Sequence, residues 1–195
     1  MADARQQRGV HAERAILDAT GELLAERGVH ELTVERVAAR AGVAKTTIYR
    51  RWRGKRELAL AVLLDTIETA DAVPDDLGDT RAELISFVGA TVRVLGSTLM
   101  GRVMQGLVSD LATDPKLARA FRTRIVGVRM AELAQVIERG IERGDLRPDA
   151  DLELAHELLF GPVYYRLLLS GSALDDGLAE RVVDAVLPAI ARDRG

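Results

Sequence analysis

The sequence predicts an all-α fold of about nine helices, and three observations favour this class. Apolar residues make up 48% of the 195 residues, whereas aromatic residues make up 4% and only five residues are proline, a balance that favours helices over a β-sandwich. Apolar side chains recur at the i, i+3, i+4 spacing of amphipathic helices. Glycine, proline or capping residues punctuate the chain between these periodic segments.

The first helix is predicted over about residues 10–27. One of its faces is apolar, and Gly28 follows as a helix terminator. The apolar face consists of Ile16, Ala19, Leu23 and Leu24. Residues 1–9 are polar and are predicted to be either an unstructured terminus or a basic arm.

The second and third helices lie within residues 32–52, LTVERVAARAGVAKTTIYRRW. Thr33 can cap the second helix, and Gly42 occupies the turn, where a left-handed backbone costs least without a Cβ. Apolar side chains fall where two crossing helices bury them, at Val37, Ala41, Val43 and Ile48. This is the layout of a helix-turn-helix, whose second helix, predicted over about residues 44–50, enters a DNA major groove. The alternative is a helical hairpin with a solvated basic face.

Charge is unevenly distributed along the chain. The net charge is −3. Residues 1–57 carry 12 Lys and Arg against 8 Asp and Glu, whereas the remainder carries 15 against 22. Only the amino-terminal third is therefore basic, as expected if that part alone meets phosphates.

The fourth helix is predicted to begin in the run RGKRE, residues 53–57, where Lys55 lies beside the free N–H groups of a helix start. Such a start can seat a phosphate, and a solvated basic turn is the alternative. Residues 71–80, DAVPDDLGDT, contain Pro74 and Gly78 and mark the predicted domain boundary.

Five more helices are predicted beyond this boundary. Thr80 and Glu83 match a capping box and begin the fifth helix, a break is expected over residues 96–101, and Asp114 with Pro115 begins the seventh helix. The other predicted ranges are about 100–111 for the sixth helix, 115–143 for the seventh, 151–170 for the eighth with a bend at Gly161 and Pro162, and 175–191 for the ninth.

These motifs together resemble a known family. A first helix that ends in Gly28, the run Leu32-Thr33-Val34, and VAARAGVAKTTIYRRW followed by GKREL closely resemble the DNA-binding domain of the TetR family of bacterial transcriptional regulators. The resemblance implies a helix-turn-helix DNA-binding domain at 1–57, a connecting helix and acidic linker at 58–78, and a helical ligand-binding and dimerisation domain at 79–195. It also implies a homodimer that binds double-stranded operator DNA and responds to a small-molecule effector.

Carried onto this sequence, the resemblance assigns seven DNA-binding residues. Lys45, Thr46 and Thr47 are expected to face base edges, and Tyr49, Lys55, Thr33 and Arg50 to hold phosphates. The family commonly has serine at the N-cap of the recognition helix, and this chain has Ala44, which lacks a capping side chain.

The carboxy-terminal helices carry the other predicted sites. A ligand pocket is expected among flexible, aromatic and hydroxyl side chains, namely Thr91, Met100, Met104, Phe121, Met130, Tyr164 and Tyr165. A dimer interface is expected on the last two helices, at Val163, Leu167, Leu178, Val182, Ala185, Val186 and Ala189. The alternatives are plain core packing for the first set and completion of the monomer core for the second.

Several other classes are disfavoured. Glu153 and His156 form a single Glu-x-x-His pair, whereas a di-iron bundle needs two pairs and further carboxylates. We therefore predict no catalytic residues, no metal and no cofactor. Cysteine is absent and no apolar run reaches the length of a membrane span, so a cytoplasmic protein is expected. Open alternatives are a ligand-binding or scaffolding protein of the same fold that lacks sequence-specific DNA binding, and an activator in place of a repressor.

Overall fold

The computed structural model describes residues 2–68 and 76–192, and the chain is all-α, as predicted. The helices are α1 Ala2–Glu31, α2 Val34–Ala41, α3 Lys45–Tyr49, α4 Lys55–Glu68, α5 Thr80–Gly96, α6 Thr98–Leu111, α7 Pro115–Phe121, α8 Gly127–Glu142, α9 Leu152–Tyr165 and α10 Leu178–Ile190. A π-helical turn, Arg122–Val126, joins α7 to α8, and a second, Arg166–Ser170, extends α9. Counted as continuous runs, these are nine helices within the described residues.

The amino-terminal helix is longer than predicted. It begins at Ala2, so the prediction of an unstructured terminus was wrong for residues 2–9. The residues that extend it, ADARQQR, are mostly good helix formers. Gly28 interrupts the regular helix, as predicted, with φ 74° and ψ 177°.

The cap of α5 also differs from its prediction. Asp79 is the N-cap, and its carboxylate accepts the N–H three residues later at 2.8 Å. Thr80 is the first helical residue, and its hydroxyl donates to an aspartate in the loop after α8. Glu83 is fully buried and forms ion pairs with Arg139 at 2.6 Å and Arg143 at 3.0 Å, so it does not close a capping box. Most of the predicted acidic linker, including Pro74, lies outside the described residues.

The chain packs as two compact units. The first comprises residues 1–65 and 102–119, and the second comprises residues 66–101 and 120–195. The chain therefore passes between the units inside α4, α6 and α7, and most of α6 belongs with the amino-terminal helices. The sequence-based prediction divided the chain at residues 57 and 78. It did not group residues 102–119 with the amino-terminal helices.

Each unit has its own apolar core. In the first, fully buried side chains come from α1, α2, α3, α4 and α6, among them Leu24, Val37, Ile48, Leu58 and Leu107. In the second, α5 packs against α8, α9 and α10. Its buried side chains include Phe87, Leu133, Leu159 and Val183. No single helix among the described residues is long and apolar enough to cross a membrane, although α5 and α6 pass that test as a bent pair.

Candidate functional site

The turn between α2 and α3 has the geometry of a helix-turn-helix. Gly42 is left-handed, with φ 66° and ψ 30°, and the N–H of Val43 returns to the carbonyl of Ala38 at 3.0 Å. The hydroxyl of Thr33 accepts the N–H of Arg36 at 3.3 Å, so the predicted cap of α2 is confirmed. These bonds satisfy backbone groups at both ends of α2 and fix the direction in which the chain enters α3.

The recognition helix α3 has one buried side and one exposed polar side. Ile48 is fully buried and Trp52 is 7% exposed, so these two side chains hold α3 against the core of the first unit. On the other side Lys45 and Thr46 are exposed, and Tyr49 is 52% exposed. Thr47 is half-buried. The exposed side presents hydroxyl and ammonium groups, which are chemical groups that can bind base edges in a major groove.

The start of α3 lacks a side-chain cap, as its sequence predicts. Ala44 is the N-cap residue, with extended backbone angles of φ −71° and ψ 145°, and its side chain makes no capping hydrogen bond. The N–H of Thr47 donates to the carbonyl of Ala44 at 2.9 Å.

The cations of the first unit differ in whether a carboxylate already neutralises them. Lys45 lies 3.3 Å from Glu35, and Arg51 pairs with Glu13. Arg50 and Arg53 form no ion pair among residues 9–67 and 76–192, and both are exposed. Their positive charges are therefore not neutralised by a carboxylate among these residues. Arg53 was absent from the predicted site, although its place directly before the GKRE run was a usable signal.

Lys55 has a role that sequence did not reveal. Its ammonium donates to the carbonyl of His30 at 2.9 Å and to that of Val29 at 3.4 Å. These carbonyls belong to the last residues of α1, so Lys55 joins the start of α4 to the end of α1. One of its three N–H groups remains for another acceptor.

A second arginine links α4 to α6 within the same unit. Arg56 pairs with Asp110 through two hydrogen bonds of 2.6 and 2.9 Å, a bidentate geometry. Asp110 is the next-to-last residue of α6. The orientation of the first turn of α4 is thereby tied to the end of α6.

The predicted pocket residues do not all lie together. Thr91, Met100 and Phe121 are buried in the second unit, and Met130 and Tyr164 are half-buried there. Met104 is buried but belongs to the first unit, and Tyr165 is 59% exposed. Six of the seven thus belong to the second unit, where five are buried or half-buried and Tyr165 lies at the surface.

A buried arginine that was not predicted lies among these residues. Arg129 on α8 is 5% exposed, and its guanidinium carbon lies 5.5 Å from the ring centre of Phe87. Burial lowers the pKa of His156, and the charge of Arg129 acts in the same direction. Burial raises the pKa of Tyr164. Burial therefore favours the uncharged form of both side chains, although the charge of Glu157 opposes this effect at His156.

The predicted interface residues are divided between core and surface. Val163, Leu178, Val182 and Val186 are buried at 0 to 7% exposure within their own chain. Leu167 is half-buried, and only Ala185 and Ala189 are exposed. A different apolar surface follows the outer side of α9 and its π-helical extension, and its members are 36 to 76% exposed. We call it the α9 stripe, and it consists of Leu154, Leu158, Tyr165, Leu168 and Leu169.

The second unit also has an open surface cavity of about 830 Å³. The start of α5 and the end of α10 line it, with Arg81 bonded to Asp184 on one wall. None of the predicted pocket residues contributes to it. Among the described residues no group of three or more His, Cys, Asp or Glu side chains is placed to hold a metal ion.

Comparison with known proteins agrees with this arrangement. Residues 16–62 match the family model of bacterial regulatory proteins of the tetR family, and residues 74–186 match that of the tetracyclin repressor-like C-terminal domain. The uncharacterized HTH-type transcriptional regulator YdeS of Bacillus subtilis is 34% identical over 175 residues, which cover 90% of this chain and 86% of that protein.

Two further relatives cover almost the whole chain. The DNA-binding transcriptional repressor TetR of Mycobacteroides abscessus is 30% identical, over 95% of this chain and 96% of that protein. The crystal structure of the TetR family transcription regulator SCO0332 superposes with a TM-score of 0.79 at 36% identity. That superposition covers 93% of this chain and 99% of the other.

Proposed function

This chain belongs to the TetR family of bacterial transcriptional regulators, and we propose that it is a repressor that binds a palindromic operator as a homodimer and is released by a small, mostly apolar effector. The proposal places the protein in the bacterial cytoplasm, where its operator lies. A non-catalytic DNA-binding regulator is what the family implies, and the repressor role, the palindrome and the effector are the parts that we propose.

The exposed polar side of α3 carries the proposal. Ile48 and Trp52 anchor α3, so its outer side chains are held at fixed positions relative to the core of the first unit. In our proposal Lys45, Thr46 and Thr47 contact base edges, because lysine can donate to guanine acceptors and the threonine methyl can pack on thymine. The phosphate contacts come from Thr33, Tyr49, Arg50, Lys55 and Arg53, of which Arg53 is added on the strength of its unpaired charge.

The α9 stripe supports the homodimer. Its successive members are four, seven, three and one residues apart, which are mostly the spacings of residues on one side of a helix. Surfaces of this kind on a soluble chain mark association sites. A second copy of the chain, related by a two-fold axis, covers the stripe with its own. The two recognition helices then meet half-sites separated by about one helical turn of DNA or a multiple of it.

Helix α6 supports the response to an effector. Its first residues pack in the second unit, where Gly101 lies beside Leu167, and its end carries Asp110, which pairs with Arg56 of α4. An effector that shifts the start of α6 moves the first turn of α4 through that pair. This response requires that the effector bind the two arrangements with unequal affinity.

Selection of bound duplexes from a random DNA pool tests the proposal. At about 0.15 M salt, where the Debye length is about 8 Å, the wild-type protein is expected to enrich one palindrome. The double variant Thr47→Ala, Tyr49→Phe is expected to lose that enrichment, and Arg27→Ala, an exposed change on α1, is expected to retain it. If the wild type enriches no sequence, α3 does not read bases and the proposal fails.

A further inference from the structure

A buried guanidinium in the second unit has a nitrogen without a partner. The Nη1 atom of Arg129 donates to Glu132 at 2.9 Å. Its Nη2 atom is buried and makes no hydrogen bond within the part of the chain that the structure describes. Folded proteins supply a partner to nearly all buried polar groups, because an unmet donor loses its hydration without compensation.

A second polar atom without a partner lies on the facing helix. The hydroxyl of Thr91 is buried and also makes no hydrogen bond among the described residues. Thr91 lies one turn, about 6 Å, along α5 from Phe87, and residues four apart share a helix face. Arg129 lies over the ring of Phe87, and α5 packs against α8. We call the region formed by Phe87, Thr91 and Arg129 the polar layer of the second unit.

Aromatic rings surround this layer. Phe87 and Phe160 meet edge to face with their ring centres 5.5 Å apart, and the ring of His156 lies 4.9 Å from that of Phe160. Such rings favour contact with planar apolar molecules. Burial favours the uncharged form of His156.

The charges of Arg129 and Glu132 indicate which kind of ligand group can bind the Nη2 atom. Arg129 is already paired with Glu132, whose side chain is 17% exposed, so the pair is neutral overall. An anionic ligand here leaves an excess buried negative charge, which is costly. A neutral oxygen acceptor satisfies the Nη2 donor without that cost.

We propose that Arg129 and Thr91 form the polar anchor of the effector site, and that the effector is an uncharged aromatic compound with a carbonyl-type oxygen. This inference rests on the proposed function, since it names the ligand class for that response. Both polar atoms are shielded from solvent, so side chains must move before a ligand oxygen reaches Nη2. The ligand therefore binds a rearranged state better than this one, which is the unequal affinity that release from DNA requires.

Three naphthalene probes of similar size test the anchor by calorimetric titration of the full chain. They are 2-acetylnaphthalene, which has a neutral acceptor, 2-ethylnaphthalene, which has none, and 2-naphthoate, which is an anion. The ketone is expected to bind roughly 10- to 100-fold more tightly than either of the others. Arg129→Met is expected to remove this preference, whereas Arg124→Met, an exposed arginine on the π-helical turn, is expected to preserve it.

The proposed anchor is refuted if the three probes bind equally, if the anion binds more tightly than the ketone, or if no probe binds. The operator selection uses none of these compounds, so an enriched palindrome together with a failed anchor refutes only this inference.

A second measurement needs no ligand. The variant Arg129→Met, Glu132→Leu removes both charges, and its melting temperature is expected to equal or exceed that of the wild type. A fall of more than about 5 °C in melting temperature would show that the Arg129–Glu132 pair stabilises the fold, and it would overturn the proposal.

Discussion

Cationic side chains of the first unit differ in whether a carboxylate binds them. Arg40 bonds Glu26 at 2.8 Å and thereby joins α2 to α1, and Arg51 pairs with Glu13 after α3. Arg50 and Arg53 have no such carboxylate among the described residues. Neighbouring arginines in one sequence run thus differ in their ion pairing, and only the folded chain distinguishes them.

Replacement of Arg50 tests the assignment of unpaired cations to phosphates. Arg50→Ala is expected to weaken binding to all duplexes by a similar factor and to reduce the slope of log K against log salt by about 1, because one phosphate contact is lost. Fluorescence anisotropy at several salt concentrations measures both quantities. Arg27→Ala, whose arginine pairs with Glu31, serves as the control and should leave the slope unchanged. An unchanged slope in Arg50→Ala refutes the phosphate contact.

The uncapped start of α3 gives a second prediction at this scale. Ala44→Ser supplies a hydroxyl for an N–H of the first turn and is expected to stabilise the protein by about 1 kcal/mol. In a chain of this size that corresponds to a rise of about 2–4 °C in melting temperature. Ala39→Ser, an exposed position inside α2, gains no cap and should not raise it. A lower melting temperature for Ala44→Ser is the contrary result.

At the scale of elements, the junction between α5 and α6 depends on one glycine. A Cβ at Gly101 would lie 2.6 Å from the carbonyl oxygen of Leu95 and 3.3 Å from Leu167. The oxygen belongs to the backbone, so it cannot rotate away. Gly101 is therefore required for the close approach of α6 to the end of α5.

Alanine scanning of glycines tests that requirement. Gly101→Ala is expected to destabilise the fold by about 1–3 kcal/mol through overpacking, seen as a lower melting temperature by circular dichroism. Gly21→Ala is the matched control, because a Cβ there meets only Val62 at 3.9 Å. That change is expected to stabilise α1 by about 0.5–1 kcal/mol. A Gly101→Ala protein as stable as the wild type contradicts the close contact.

The sequence predicted the existence of the helices better than it predicted where they end and which side chains bind each other. The crossing of α2 and α3 was predictable because Thr33, Gly42 and Ile48 act through local geometry. The cap of α5 was not, because the buried ion pairs of Glu83 join residues more than 50 positions apart. Arg129 follows Ile125 by four residues on an inward-facing side, a signal present in the sequence but masked by the apolar residues around it.

At the scale of the whole molecule, α9 has two apolar sides. One is buried in its own chain and includes Leu159 and Val163, and the other is the α9 stripe. The sequence predicted an apolar helix, but periodicity alone cannot say which side is buried in the same chain and which is exposed. Four of the seven predicted interface residues are accordingly buried within the single chain.

Disruption of the α9 stripe tests the homodimer. Leu158→Arg places a charge on a side chain that is 41% exposed in the single chain and is expected to weaken dimerisation roughly 100-fold or more, since buried unpaired charges are costly. Sedimentation measures the dimer, and anisotropy is expected to show a parallel loss of operator affinity. Leu77→Arg, at a loop residue that is 53% exposed, is the control. A Leu158→Arg protein that remains dimeric places the interface elsewhere.

The specificity of DNA binding tests the central claim most directly. The wild-type protein is titrated at about 0.15 M salt against the palindrome obtained by selection and against a scrambled duplex of equal length. A repressor that reads bases through α3 is expected to bind the palindrome at least about 1,000-fold more tightly. A ratio near 1 would contradict the account, because binding would then arise from phosphate contacts alone.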